Sequence, residues 1–134
     1  MRSNIYGTWT VQTVSVEGVA TSPMNALVFN EANLKCFIGS MWTLRSRTNI
    51  GQYDIPNYGK DCSAVKRSIQ WSIKLEKDGV KEIRFTRLDE NKKALDNAEY
   101  RMTISLLNEN SMQLRYATSI DDKPGILLYN FTRN

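Results

Sequence analysis

Ser68-Ile69-Gln70-Trp71-Ser72-Ile73-Lys74-Leu75 alternates apolar and polar residues with a period of two. Ile69, Trp71, Ile73 and Leu75 share one face, and Ser68, Gln70, Ser72 and Lys74 the other, as in a strand with one face buried. Lys77-Asp78-Gly79 follows, and Asp-Gly between alternating segments signals a hairpin. The return strand is Lys81 to Phe85, with Ile83 and Phe85 inward.

The pattern repeats downstream. Asp89 to Asn97 reads as a charged connection. Beyond it, Tyr100, Met102, Ile104 and Leu106 alternate with Arg101, Thr103, Ser105 and Leu107. A turn at Asn108-Glu109-Asn110-Ser111 leads to Met112, Leu114 and Tyr116 inward. Another, Asp121-Asp122-Lys123-Pro124-Gly125, leads to a last strand with Leu127, Tyr129, Phe131 and Arg133 on one face. Upstream, Gly7 to Val16 is a long β-prone run whose apolar parity switches between Val11 and Val14, which predicts a bulge. Glu17-Gly18 reads as a turn, Ala26 to Phe29 as a strand, Asn30 to Asn33 as a tight turn and Leu34 to Phe37 as the returning strand. Met41 to Leu44 and Gln52 to Ile55 are further strands. Nine or ten short strands joined by hairpins predict an antiparallel meander, closed as a sandwich or a barrel. With 134 residues and no linker, repeat or low-complexity stretch, residues 1–134 are expected to form a single domain.

Composition excludes several kinds of chemistry. The chain has no histidine, which removes Ser-His-Asp and Cys-His catalysis and the commonest transition-metal ligand. Two cysteines cannot build a zinc site alone. No Gly-rich phosphate loop or nucleophile elbow is present. Glu31, Asp54, Asp61, Glu82, Asp89 and Glu99 show no pairing on an inward face and read as solvated charges. The expectation is that the protein is not an enzyme and uses no cofactor and no metal. The net charge of +4 is dispersed over short pairs such as Arg45/Arg47, Lys66/Arg67 and Lys92/Lys93. None of these is the long basic run of a nucleic-acid arm, so no nucleic acid is expected as a partner.

Cys36 and Cys62 are read as a disulfide, with two buried free thiols as the alternative. A bridge would close a loop worth about 3 kcal/mol in the chain-entropy model, and it implies an oxidising compartment. No apolar stretch is long enough for a transmembrane segment. After Met1-Arg2-Ser3 the sequence goes straight into fold-like pattern with no visible signal peptide, which fits an exported, lipid-anchored protein whose leader has been removed and fits a cytosolic protein equally.

Gly7-Thr8-Trp9, at the start of the first strand, resembles the Gly-x-Trp signature of lipocalins. The rest of the chain looks like the small lipocalin-like proteins of bacterial cell envelopes, of the Bacteroides type. The supporting stretches are Leu27-Val28-Phe29-Asn30-Glu31, Leu34-Lys35-Cys36-Phe37, Met112-Gln113-Leu114-Arg115-Tyr116 and Tyr129-Asn130-Phe131-Thr132-Arg133. The resemblance implies an all-β, up-and-down antiparallel barrel of about eight strands, a lipocalin-like calyx. It also implies export to the periplasm or cell envelope, the cytoplasm remaining the alternative. In lipocalins an arginine from a late strand lies across the signature tryptophan. Arg115 and Arg133 qualify here, and Arg133 is preferred because it shares a face with Tyr129 and Phe131. The helix lipocalins carry near the last strands has no obvious counterpart, which leaves the ligand's identity open.

Trp42, Trp71, Phe85, Tyr100, Met102, Met112, Tyr116, Tyr129 and Phe131 mostly fall on inward positions. An eight-stranded barrel is just wide enough to be filled by such side chains or to hold one small ligand. Inward tyrosines favour a pocket, because buried hydroxyls need partners and can orient a ligand. The expected function is binding or carriage of a small hydrophobic or amphipathic molecule. Arg133 beside Tyr129 is the candidate for a carboxylate clamp like that of fatty-acid-binding barrels. The alternative is a packed barrel whose loops, Arg45 to Gly51 and Asp89 to Asn97, grip a protein or glycan partner.

Overall fold

The computed structural model describes residues 5–18, 26–45, 47–56, 62–75, 81–120 and 123–134. The expected turns at Lys77-Asp78-Gly79 and Asp121-Asp122, together with Asp61, Met1-Arg2-Ser3 and the Leu75 side chain, lie outside what is described.

Eight antiparallel strands close into a barrel. They are β1 (Gly7–Glu17), β4 (Met41–Leu44), β5 (Ile50–Ile55), β6 (Val65–Leu75), β7 (Lys81–Leu88), β8 (Tyr100–Leu107), β9 (Ser111–Ile120) and β10 (Lys123–Arg133). The strands from β4 to β10 pair in chain order, and β1 closes the ring between β10 and β4. Between β1 and β4 the chain forms a small hairpin, β2 (Leu27–Val28) and β3 (Ala32–Asn33), followed by a 3-10 turn at Leu34–Phe37.

The expected parity holds through most of the wall. Ile69, Trp71, Ile83, Phe85, Tyr100, Met102, Met112, Leu114, Leu127, Tyr129 and Phe131 are all buried. The parity switch in β1 is a bulge between Val11 and Thr13. There the Val11 N–H donates to the Ser40 carbonyl and the Gly39 N–H to the Val11 carbonyl.

The structure corrects the sequence reading at several places. Leu34 to Phe37 is a 3-10 turn, not a returning strand. Phe29 is not at the end of a strand. It sits with Asn30 at the hairpin tip, both at φ 54°, and the expected turn at Asn30 to Asn33 instead carries β3. A second bulge, between Ile104 and Leu106, turns Leu106 outward and Leu107 toward the core, so Leu106 is 48% exposed. Ile73, expected inward, is 40% exposed near the outer end of β6. Cys36 and Cys62 are joined by a disulfide that ties the 3-10 turn to the chain just before β6.

Trp9 is fully buried and closes one end of the barrel, its indole N–H donating to the Ile5 carbonyl at 2.9 Å. The Arg133 guanidinium lies over that ring, with Cζ 4.2 Å from its centroid. Arg133 donates through Nη1 to the Tyr6 carbonyl and through Nε to the Glu109 carbonyl. Arg115 instead pairs with Glu17. Gly7 makes the stack sterically feasible. It sits at φ +132°, and a Cβ there would lie 2.7 Å from Arg133 Nη1. Gly7→Ala should therefore destabilise the fold by about 2–3 kcal/mol through strain and displacement of the guanidinium. Arg133→Met should cost about 1–2 kcal/mol. In a denaturant-unfolding cycle the double variant should lose less than the sum of the two, because the clash is absent once Arg133 is gone. Additive losses would separate Gly7 from the stack.

Candidate functional site

At the end of the barrel away from Trp9, the β2–β3 hairpin folds its tip into the lumen. The Glu31 N–H donates to the Val28 carbonyl, closing the turn around Phe29 and Asn30. Positive φ at both central residues matches the twist of a tight hairpin, but glycine or asparagine normally takes those positions. For phenylalanine the conformation is costly, and it persists only where the surroundings enforce it.

Two sets of contacts do so. The first is aromatic. The Phe29 ring lies 4.9 to 6.2 Å, centroid to centroid, from Phe37, Trp42, Phe85, Tyr100, Tyr116 and Tyr129. Phe29 itself is 2% exposed. The second is ionic. The Glu31 carboxylate accepts from the Tyr53 hydroxyl at 2.7 Å, from Arg67 Nε at 2.7 Å and Nη2 at 3.1 Å, and from Arg87 Nη1 at 3.3 Å. Arg87 also donates to the Asn30 carbonyl and to Asp96, from the connection between β7 and β8. The Asn30 amide donates to the Tyr100 hydroxyl. Charge-assisted and bidentate bonds of this kind are the strong ones.

The cluster sits on the lumen wall. Tyr53 in β5 pairs with Arg67 in β6, which has the same parity as Ile69 and Trp71. Ile69 in turn pairs with Arg87 in β7, which has the parity of Ile83 and Phe85. Glu31, expected as a solvated surface charge, has a side chain only 7% exposed. Arg67, read with Lys66 as a solvated pair, is the bidentate partner of that carboxylate. Arg87 is 5% exposed overall and was not singled out from the sequence, although its inward parity was there to be read.

Most of the expected lining residues do converge. Trp42, Phe85, Tyr100, Tyr116 and Tyr129 surround Phe29, and Phe131 packs edge-on against Trp42 at 5.9 Å. Met102 is buried in the same core. Trp71 lies toward the other end, edge-on to Tyr6 at 5.9 Å. Arg133 is also at that far end, engaged with Trp9 and two backbone carbonyls, so it is not a clamp for a carboxylate in the lumen. Among the described residues, the arginines that face the lumen site are Arg67 and Arg87.

A cavity beside the tip, lined by residues including Leu34, Tyr116 and Leu127, has a volume of about 30 Å³. That admits one or two waters and no organic ligand. Yet the Tyr129 hydroxyl, Trp71 Nε1 and Arg87 Nε are buried with no hydrogen-bond partner among the described residues. Burial pushes the Tyr129 phenol well above its ordinary value, so it remains a neutral donor. No group of three or more metal-ligating acids or cysteines occurs among the described residues. No protein-family model, curated protein or solved structure matches the chain.

Burial pushes the Glu31 carboxyl upward. The bonds from Arg67 and Tyr53 and the charges of Arg67 and Arg87 outweigh it and hold the group below its ordinary 4.5. A depressed folded value stabilises the fold above the unfolded value, and that contribution is lost as pH falls through the folded one. Wild-type stability should therefore decline progressively below about pH 4.5 in chemical-denaturation curves. Glu31→Gln should be less stable at pH 7 by about 2 kcal/mol, since it removes the charge that pairs with Arg67 while Arg87 keeps Asp96. Its curve should also be flatter at low pH; equal acid slopes would take Glu31 out of the transition.

Proposed function

We propose that the chain is a lipocalin-like binding barrel that takes a small apolar or amphipathic molecule into its lumen, with the β2–β3 hairpin as a removable stopper. One observation carries the reading. The lumen is occupied at its centre by a ring on a strained tip, above an unpartnered tyrosine hydroxyl, rather than by side chains of the wall alone. A buried hydroxyl without a partner costs roughly 1–3 kcal/mol, and a bound molecule with an acceptor atom would relieve it. Aromatic walls with a few convergent polar groups are the usual make-up of small-molecule sites.

Binding without catalysis fits the titration of the site. Glu31 is held ionised by two arginines, far from the near-neutral poise that general acid–base work needs. The Cys36–Cys62 bridge supports export to an oxidising compartment such as a periplasm or cell envelope. No helix among the described residues is long and apolar enough to cross a membrane.

A second reading has an observation in its favour. Phe29 packs closely against six aromatic neighbours in the lumen, as suits a filled barrel that meets a protein or glycan partner through its outer loops. Native mass spectrometry of the purified protein, followed by titration with a neutral polarity-sensitive dye, separates the two. A co-purifying small molecule or saturable single-site dye binding is expected; a bare protein that ignores the dye would leave the packed module. Tyr129→Phe should raise stability by about 1 kcal/mol while weakening dye binding, the trade-off expected of a functional polar group in a core.

A further inference from the structure

Resting on the lumen-binding reading and deepening it, we propose that the hairpin tip is an internal stand-in for the ligand, and that the molecule displacing it is a monocarboxylate with an apolar body. Phe29 and Glu31 lie two residues apart on one tip. Together they present a ring to the centre of the lumen and a carboxylate to its mouth, which is the outline of an amphipathic acid.

The receptor for that carboxylate belongs to the wall. Tyr53, Arg67 and Arg87 stand at inward positions of three adjacent strands and converge on it. The carboxylate itself comes from a segment outside the barrel wall, and delivering it requires two successive left-handed residues. Neutralising two inward arginines from a neighbouring strand would need no such strain.

Withdrawal of the tip sharpens the argument. Asp96 stays with Arg87, so one positive charge, that of the half-buried Arg67, is left uncompensated at the lumen wall. An alcohol entering the lumen would leave that charge unpaired, whereas a carboxylate would restore the pairing. Arg87 Nε, which the tip leaves without a partner, is a further donor at the same mouth.

The test compares octanoate with octanol by calorimetric titration at pH 7, on the wild type and on Glu31→Gln. Octanoate should bind the wild type roughly tenfold more tightly than octanol, and Glu31→Gln, whose loosened tip admits both, should widen that preference by roughly a further tenfold. Should Glu31→Gln fail to fold, Glu31→Asp withdraws the competing charge by one methylene and should shift the preference in the same direction. Equal affinities for acid and alcohol in both proteins would overturn the carboxylate assignment and leave the lumen-binding reading standing. Binding of neither compound to either protein would remove that reading, and this proposal with it.

Discussion

The grip of Arg67, Arg87 and Tyr53 on Glu31, two residues after the Phe29 ring in the lumen, is the constraint that sets the position of the site. Two consecutive residues at φ 54° would relax if the tip were free. Aromatic contacts reward the ring for staying, but they are non-directional and would tolerate other placements of the hairpin. The bidentate Arg67 bond fixes distance and orientation together. Position therefore comes from the ions, and most of the favourable energy from the rings.

The two ends of the barrel are closed by different physics. At the Trp9 end, the cap is part of the barrel's own strands. Gly7 and Trp9 lie in β1, Arg133 lies at the end of β10, and the guanidinium is bonded to backbone carbonyls of Tyr6 and Glu109. Opening that end would require parting the β1–β10 ladder, which runs nearly the full length of both strands. At the other end the stopper is a hairpin of two-residue strands, held by side chains. It can leave without the loss of a single barrel ladder. A molecule built this way has a floor made from barrel ladders and a cover held by side chains.

Period-two alternation made the barrel wall legible, because each inward apolar residue in a long strand repeats the same instruction. Ile69–Trp71 and Leu127–Tyr129–Phe131 carry it without ambiguity, and the switch between Val11 and Val14 even located a bulge. Short segments carry too few repeats. Leu34 to Phe37 contains as many apolar residues as a strand, yet it folds as a 3-10 turn whose Cys36 is tied to Cys62. The bulge after Ile104 was hidden because Leu106 and Leu107 are both leucine, so either parity reads as apolar. The ionic cluster was missed for a different reason. A charge beside a strand pattern reads as solvated by default, and only the parity of Arg67 and Arg87, continuous with Ile69 and Phe85, argued otherwise. Their partner Glu31 is distant in sequence, and no local pattern links a loop carboxylate to two strands beyond it.

Stability alone gives little reason to bury these charges. Replacing a buried ion cluster with apolar residues of similar volume is often neutral or stabilising, because desolvation consumes much of the Coulombic gain. A stopper meant to be permanent would be better made from Leu or Phe at positions 31, 67 and 87, continuous with the aromatic core already around Phe29. What an ion cluster supplies and an apolar plug cannot is exchangeability. Its partner must be an anion of defined geometry, and a competing anion can substitute for it at little net cost, since the arginines are paired before and after. In the proposed exchange, the strained tip, the unpartnered Tyr129 hydroxyl and the unused Arg87 Nε–H would each lower the cost of replacing the internal occupant with an external one.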